Sequence, residues 1–236
     1  MSSIRIWTLE SDNDAKAAGC LANKLTKFMK LGQIPINTSG RRKPSINLEK
    51  AVQNYLKRDD CLIIIIDRDG PRAHSQRLQD PDSLLNQIKR IEKDKRYANK
   101  VFLVEAVQEL EAWLLIDCLG IFCYYAAKRA QFRENCRSKV SANRPLKRLA
   151  DRYQKGNTEN IVEVEQGGRG AKEYLTEFSE RVLRVLNPNL TQRNIDREKY
   201  QETRSPEVAE HIEINKETLR RNNSLKKLGD VIAQFQ

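Results

Sequence analysis

The chain has 236 residues, and its 43 Lys and Arg against 32 Asp and Glu give a formal net charge of +11. Its apolar runs are far shorter than the ~18 residues of a membrane-spanning helix, and its first residues lack a signal-peptide pattern. We therefore expect a cytoplasmic protein with no membrane contact. Its two histidines, His74 and His211, are too few for a histidine-rich zinc site or a His-based nucleophile system.

The first half of the chain alternates short apolar segments with amphipathic ones. The apolar segments predict strands over 4–9, 34–39, 61–70 and 100–107. The amphipathic segments predict helices over 11–32, 47–60, 80–94 and 109–130. The third strand, "CLIIIIDRDG", begins with an unbroken apolar run of the kind that parallel sheets bury on both faces. The alternation predicts an α/β fold with an open, mainly parallel sheet flanked by helices.

After about residue 125 only helical patterns remain. We predict an α/β domain over residues 1–125 and a basic helical carboxyl-terminal region over 126–236. The part after Asn187 is so polar that we expect it to dock loosely. The apolar segment "LGIFCYYAA" (119–127) could form an interface in a homo-oligomer or pack in the core.

The cysteines form no CxxC pair. Because disulfides are rare in reducing compartments and the sequence shows no export signal, this pattern predicts reduced, mostly buried thiols. The five cysteines are Cys20, Cys61, Cys118, Cys123 and Cys136.

Acidic side chains stand where the predicted strands end. Asp67 and Asp69 follow the third strand, Glu10 follows the first, and Glu105 lies at the end of the fourth. The carboxyl ends of parallel strands meet at one edge of a sheet, where such folds bind ligands. A cluster of carboxylates there would suit Mg²⁺ or Mn²⁺, which prefer oxygen ligands. Taken singly, each acid has a simpler role at a helix start or in a tight turn.

The order of these acids resembles the TOPRIM domain, the magnesium-binding fold of topoisomerases, primases and OLD-type nucleases. "LESDNDA" is similar to the first motif of that family and implies Glu10 and Asp14 as metal ligands, with Ser11 in place of the usual Gly. "IIIIDRDG" resembles the second motif and implies Asp67 and Asp69.

A third element, "QELEAWLL", resembles the Ser-x-Glu element of OLD-type nucleases, whose Glu binds metal. It implies Glu111, with Glu109 in the Ser position as a further ligand. The family also uses a downstream lysine, for which Lys147 comes first and Lys155 second. The resemblance covers roughly residues 3–186, and the TOPRIM-like fold that it implies agrees with the predicted α/β sheet.

The resemblance implies a metal-dependent endonuclease that hydrolyses DNA or RNA, tRNA included, with one or two Mg²⁺ or Mn²⁺ ions. The implied catalytic residues are Glu10, Asp67, Asp69, Glu111, Lys147 and Lys155. The implied metal ligands are Glu10, Asp14, Asp67, Asp69, Glu109 and Glu111. Small stand-alone bacterial members of this kind are often encoded beside an AAA- or ABC-type ATPase in anti-phage loci. An ATPase partner and a role in antiviral defence are therefore implied as well.

Basic residues are concentrated over 126–155, where ten Lys and Arg stand against Glu134 and Asp151. Basic surfaces of this density attract polyanions, so we predict a nucleic-acid partner. The alternative is a solvated basic face that binds nothing. The candidate nucleic-acid-binding residues are Arg41, Arg42, Lys43, Lys128, Arg129, Arg133, Arg137, Lys139, Arg144, Arg148 and Arg152.

Two other functions fit parts of the pattern. The first is a non-catalytic subunit that binds nucleic acid or regulates a partner and keeps the fold as a scaffold. The second is a haloacid-dehalogenase-like phosphatase, whose nucleophile motif also reads apolar strand, Asp-x-Asp-Gly. Pro71 and the helical carboxyl-terminal third disagree with that family.

Overall fold

The computed structural model describes residues 3–40, 47–68, 70–161 and 168–235. Four candidates of the sequence analysis lie outside these described residues, namely Asp69, Arg41, Arg42 and Lys43.

The described residues form one four-stranded sheet in which all neighbouring strands are parallel. The strands are β1 (Ile4–Thr8), β2 (Ile36–Gly40), β3 (Cys61–Arg68) and β4 (Val101–Val107). Their order across the sheet is β2-β1-β3-β4, which places the apolar β3 in the interior. The predicted α/β class with a mainly parallel, open sheet is confirmed.

Helices cover both faces of this sheet and continue into a helical lobe. The α-helices of the described residues are α1 (Asp12–Phe28), α2 (Leu48–Leu56), α3 (Pro71–Gln79), α4 (Leu84–Lys93), α5 (Glu111–Leu114), α6 (Cys118–Ala126), α7 (Cys136–Ala142), α8 (Arg144–Tyr153), α9 (Ala171–Leu186), α10 (Gln192–Glu198), α11 (Ser205–His211), α12 (Lys216–Leu219) and α13 (Asn223–Ala233). Among the described helices, none combines the length and the apolar character that crossing a membrane requires.

The two faces of the sheet pack into two separate apolar clusters. Ile64 and the residues two positions before and after it in β3 pack with Val52 of α2 and Ile88 of α4. Ile63 and Ile65 point the other way, toward α1 and the helical lobe. Because successive side chains of a strand point to opposite faces, this alternation fixes which face each later residue of β3 takes. Burying each such side chain contributes roughly 1.5–3 kcal/mol.

The helix predicted over 109–130 is split in two. The first part, α5, ends at Leu114, and Asp117 starts the second part by capping α6, since its carboxylate accepts a hydrogen bond from the amide of Gly120 at 3.0 Å. Ile121 and Phe122 of the apolar segment 119–127 are fully buried in the larger cluster. That segment is therefore used for core packing.

The segment after Asn187 docks firmly, so the expectation of loose docking is wrong. Helix α11 packs against α1, and α13 packs against both β4 and α1. The few apolar residues of the segment lie on the inner faces of these helices, where Val208, Leu228 and Ile232 are fully buried. The apolar positions are sparse but aligned, and the polar majority faces solvent.

The expectation that all five cysteines are reduced thiols is also wrong. A disulfide joins Cys123 at the end of α6 to Cys136 at the start of α7, with the two Cα atoms 5.8 Å apart. The chain between them folds back on itself, and the spacing of the two cysteines in the sequence does not predict that they lie close together. Cys61 and Cys118 are buried free thiols, while Cys20 is partly exposed.

Candidate metal site at the carboxyl edge of the sheet

A small cavity of about 80 Å³ lies where β1, β3 and β4 end. We call it the acidic pocket. The described residues that line it are Glu10, Ser11, Asp14, Asp67, Glu109, Glu111, Lys172 and Glu202. Five of the six carboxylates are candidates of the sequence analysis. They come from three separate parts of the chain, and the parallel sheet brings them to one edge.

The first wall of the acidic pocket is the turn from β1 into α1. Ser11 caps α1, since its hydroxyl oxygen accepts a hydrogen bond from the amide of Asp14 at 3.1 Å. The same hydroxyl donates to the Asp14 carboxylate at 2.6 Å. Gly40 at the end of β2 lies against this turn, because a Cβ there would overlap the Ser11 carbonyl oxygen. The TOPRIM family has a Gly where this chain has Ser11. Here Gly40 is the residue that lets two backbone segments, the end of β2 and the start of α1, come close together.

The second wall is Asp67, the last residue but one of β3. Ile66 packs with the α2 and α4 cluster, so Asp67 points to the opposite face, toward α1. One carboxylate oxygen of Asp67 accepts a hydrogen bond from the amide of Leu110 at 3.1 Å. This bond ties the end of β3 to the turn that follows β4.

The third wall is that turn, which carries Glu109 and Glu111. Gln108 takes a left-handed conformation with φ of 74°, and its amide donates to the carbonyl of Arg68 at 3.1 Å. The chain therefore bends at Gln108 while it is still hydrogen-bonded to the end of β3. Glu111 then starts α5 and is only 5% exposed, with one oxygen accepting a 2.9 Å hydrogen bond from the hydroxyl of Tyr200.

Glu105 does not line the acidic pocket, contrary to the expectation for the acidic strand ends. It pairs with Ile66 across β3 and β4, so it lies on the α4 face of the sheet. There its carboxylate lies 3.5 Å from Nδ1 of His74 and forms an ion pair with Lys89 at 3.7 Å. A one-residue offset along the strand is enough to separate it from Asp67.

The fourth wall comes from parts of the chain that the sequence analysis missed. Lys172 stands in the first turn of α9, where its amide donates to a Glu109 carboxylate oxygen at 3.0 Å. Its ammonium group forms an ion pair with Glu202. No local sequence pattern marks Lys172 or Glu202 as part of this pocket.

The carboxylates of the acidic pocket raise one another's pKa. Burial raises the pKa of Asp67 well above its usual value, and the charges of Glu111 and Glu10 raise it further. Burial, followed by the charge of Glu109, raises the pKa of Glu111 to about 7. Burial also raises the pKa of Asp14. The pocket is therefore short of positive charge, because Lys172 is the one cation among its described lining residues.

The donor set of the pocket fits a hard divalent cation, although the ligands are not yet gathered around one point. Oxygen-rich sites with about two or three carboxylates are what Mg²⁺ and Mn²⁺ require. As the side chains stand, no group of three or more Asp, Glu, His or Cys among the described residues forms a site that could hold a metal ion. Binding would therefore require carboxylates to turn inward, with relief of their repulsion as the gain.

Neither lysine candidate of the sequence analysis lines the acidic pocket. Lys147 forms an exposed ion pair with Asp151, one helical turn along α8. Lys155 lies over the ring of Tyr174, with its ammonium nitrogen 5.0 Å from the ring centroid. Among the described residues, Lys172 holds the position in the pocket that these lysines were expected to hold.

The basic candidates on the helical lobe are exposed, with one exception. Arg137 is half-buried and forms ion pairs with Asp117, which is itself buried, and with Glu213. The ammonium group of Lys139 donates to the carbonyl of Gln131 at 2.8 Å. The exposed candidates are Lys128, Arg129, Arg133, Lys139, Arg144, Arg148 and Arg152.

Comparisons with known proteins identify no relative of this chain. No family model matches it, and neither a curated protein nor a solved structure is significantly similar to it. The TOPRIM resemblance of its motifs therefore stays an expectation.

Proposed function

We propose that this protein is an endonuclease that hydrolyses phosphodiester bonds of DNA or RNA with Mg²⁺ or Mn²⁺. The observation that carries the proposal is the acidic pocket. Glu10, Asp67 and Glu111 are about 45 to 100 residues apart in the chain and still line one small cavity. A catalytic pocket is a direct reason to keep so many repelling carboxylates together, because structure alone gains nothing from their repulsion.

The residues divide into two roles. Glu10, Asp67 and Glu111 would hold the cation, with Asp14 and Glu109 beside them. Asp69, two residues after Asp67 in the chain, is a further candidate. A bound divalent cation supplies an activated water and stabilises the leaving oxygen of a phosphodiester. A second ion would fit the same donor chemistry.

Lys172 would offset the negative charge that develops on the phosphate. Its ion pair with Glu202 holds the ammonium group at the pocket before substrate arrives. This assignment replaces Lys147 and Lys155, whose side chains make contacts elsewhere.

The exposed arginines of α8 would bind the substrate backbone. Arg144, Arg148 and Arg152 recur every four residues, so they lie along one side of the helix. Such contacts give affinity that falls steeply with salt and carry little sequence information.

We further propose a cytoplasmic nuclease that works with an AAA- or ABC-type ATPase partner in antiviral defence. The support is the likeness of the motifs to the small stand-alone TOPRIM-like proteins. Co-purification of the tagged protein with products of neighbouring genes tests this part.

The experiment for the activity uses the full chain with supercoiled plasmid, single-stranded DNA or tRNA, each with Mg²⁺, Mn²⁺ or EDTA. We expect cleavage that requires metal and is lost in Asp67→Asn. Asp230→Asn, an exposed acid on α13, is the matched control and retains activity. Cleavage that persists in EDTA or in Asp67→Asn contradicts the proposal.

A non-catalytic nucleic-acid-binding subunit is the second candidate function. The observation that favours it is that the described carboxylates do not form a ready-made metal site. The same experiment separates the two functions, because this subunit would bind the labelled substrates without cutting them, alone or with its ATPase partner.

A further inference from the structure

Tyr200 stands at the centre of a buried chain of hydrogen bonds that ends on the acidic pocket. Its hydroxyl donates to a carboxylate oxygen of Glu111 at 2.9 Å and lies 2.6 Å from the hydroxyl of Ser205. Because the Tyr200 proton points to Glu111, Ser205 is the donor in the second bond. Tyr200 is 2% exposed and Ser205 is fully buried, so water does not compete for these contacts.

The backbone of Tyr200 is held as firmly as its hydroxyl. Its amide donates to the hydroxyl of Ser179 on α9 at 2.8 Å. The position of the phenol ring is therefore fixed by the backbone at one end and by the partners of the hydroxyl at the other. A hydroxyl held in this way defines one orientation of the carboxylate that accepts its proton.

We propose that Tyr200 is a positioning residue of the acidic pocket, which fixes the Glu111 carboxylate by one oxygen so that the group can bind a divalent cation. The inference rests on the metal site of the proposed function. It assigns a role in that site to the segment after Asn187, which lies outside the part of the chain that resembles the TOPRIM family.

The crowding of the pocket makes such a contact necessary. Glu111 shares the cavity with five other carboxylates, and repulsion drives its side chain away from them. A hydrogen bond to the ionised form opposes this movement and keeps the charge in place. Outer partners of this kind typically change metal affinity by about 10- to 100-fold when they are removed.

The test measures Mn²⁺ binding to the full chain by calorimetry, without nucleic acid, at a temperature where circular dichroism shows every variant folded. We expect Tyr200→Phe, which keeps the ring and loses the hydroxyl, to raise the Kd for Mn²⁺ by about 10- to 100-fold. Tyr174→Phe is the matched control. It loses a hydroxyl bonded to the Tyr153 carbonyl, outside the pocket, and should bind Mn²⁺ as the parent protein does.

A double-mutant cycle separates positioning from a general loss of structure. In a Glu111→Gln background the partner carboxylate is gone, so adding Tyr200→Phe should leave the Kd for Mn²⁺ nearly unchanged. Equal effects of Tyr200→Phe in both backgrounds would overturn the inference, as would parent-like Mn²⁺ binding by folded Tyr200→Phe.

Failure of this inference and failure of the nuclease proposal can be told apart. If the parent protein cleaves its substrate and Tyr200→Phe binds Mn²⁺ as the parent does, only the inference about Tyr200 is contradicted. If Mn²⁺ binding depends on Tyr200 but the protein cuts no substrate, with or without its partner, only the nuclease proposal is contradicted. A parent protein that binds no Mn²⁺ contradicts both.

Discussion

At the scale of single residues, the acidic pocket stores unfavourable energy. Glu111 is buried beside other carboxylates, and its pKa of about 7 lies above its ordinary 4.5. A carboxyl group whose pKa is raised by folding binds protons more tightly in the folded state. Its ionisation therefore lowers stability, and the loss develops as the pH rises through the interval between the two values.

We predict that the metal-free protein becomes less stable between about pH 4.5 and pH 7 because of Glu111. The full effect of this one group is on the order of 3 kcal/mol above pH 7, at 1.36 kcal/mol for each pKa unit. Urea unfolding in EDTA at a series of pH values measures it. Glu111→Gln should make the loss of stability over this interval smaller, with the remainder belonging to Asp67 and Asp14, whose pKa values are also raised. An unchanged profile would show that the pKa of Glu111 is not raised.

Gly40 gives a second prediction at the residue scale. Gly40→Ala places a methyl group against the backbone of Ser11 and Asp12, which cannot move without shifting the start of α1. We expect a loss of about 1–3 kcal/mol in unfolding free energy and weaker Mn²⁺ binding, because Asp14 moves with the turn. Gly32→Ala is the control, since its methyl group would meet no atom within 4 Å. Equal stability of the two variants would contradict this description of the turn.

At the scale of elements, the periodicity of the sequence identified all four strands of the described sheet. It worked best for β1, β3 and β4, because each of these strands is a short apolar run bounded by polar residues, whereas β2 (INTSG) contains only one large apolar residue. It failed where contacts between distant parts of the chain determine whether a helix forms and where it ends. Helix α3 has no buried residue, so its sequence carries no apolar stripe from which a helix could be predicted. The break before α6 depends on Asp117, which accepts hydrogen bonds from Arg137 and from the amide of Glu213.

The disulfide between α6 and α7 yields a prediction at this scale. It closes a loop of about 13 residues, for which the loss of unfolded-state entropy contributes about 3 kcal/mol. Chemical unfolding with and without dithiothreitol should show this difference. The variant Cys123→Ala/Cys136→Ala should be insensitive to the reductant, whereas Cys20→Ala should retain the parent response. A parent protein that ignores the reductant would mean that the pair is not bonded in solution.

At the scale of the whole molecule, sequence reasoning found one side of the acidic pocket and missed the other. Glu10, Asp67 and Glu111 lie at strand ends or just beyond, and the geometry of parallel sheets brings such positions together. Lys172, Tyr200 and Glu202 reach the pocket through the packing of α9 and the segment that follows it. No spacing rule connects them to the strands, so only the folded chain reveals them.

The charge of the whole molecule leads to a prediction that separates binding arginines from structural ones. Arg148→Ala should weaken nucleic-acid binding and reduce the slope of log affinity against log salt by about 1, with little effect on stability. Arg137→Ala should leave that slope nearly unchanged and lower the unfolding free energy by about 1.5–3 kcal/mol, since Asp117 loses its charged partner. Fluorescence anisotropy over a salt series and urea unfolding provide the two measurements. Identical salt slopes for the two variants would exclude this division of roles.

The position of Tyr200 and Glu202 so late in the chain bears on how the protein is made. A ribosome that has released only the α/β half has produced every acidic strand end but neither of these two side chains. A nascent or prematurely terminated chain thus carries an incomplete pocket. The pocket is therefore completed only after residues 200–202 have been synthesised, so translation supplies the acidic strand ends well before the side chains that complete the site.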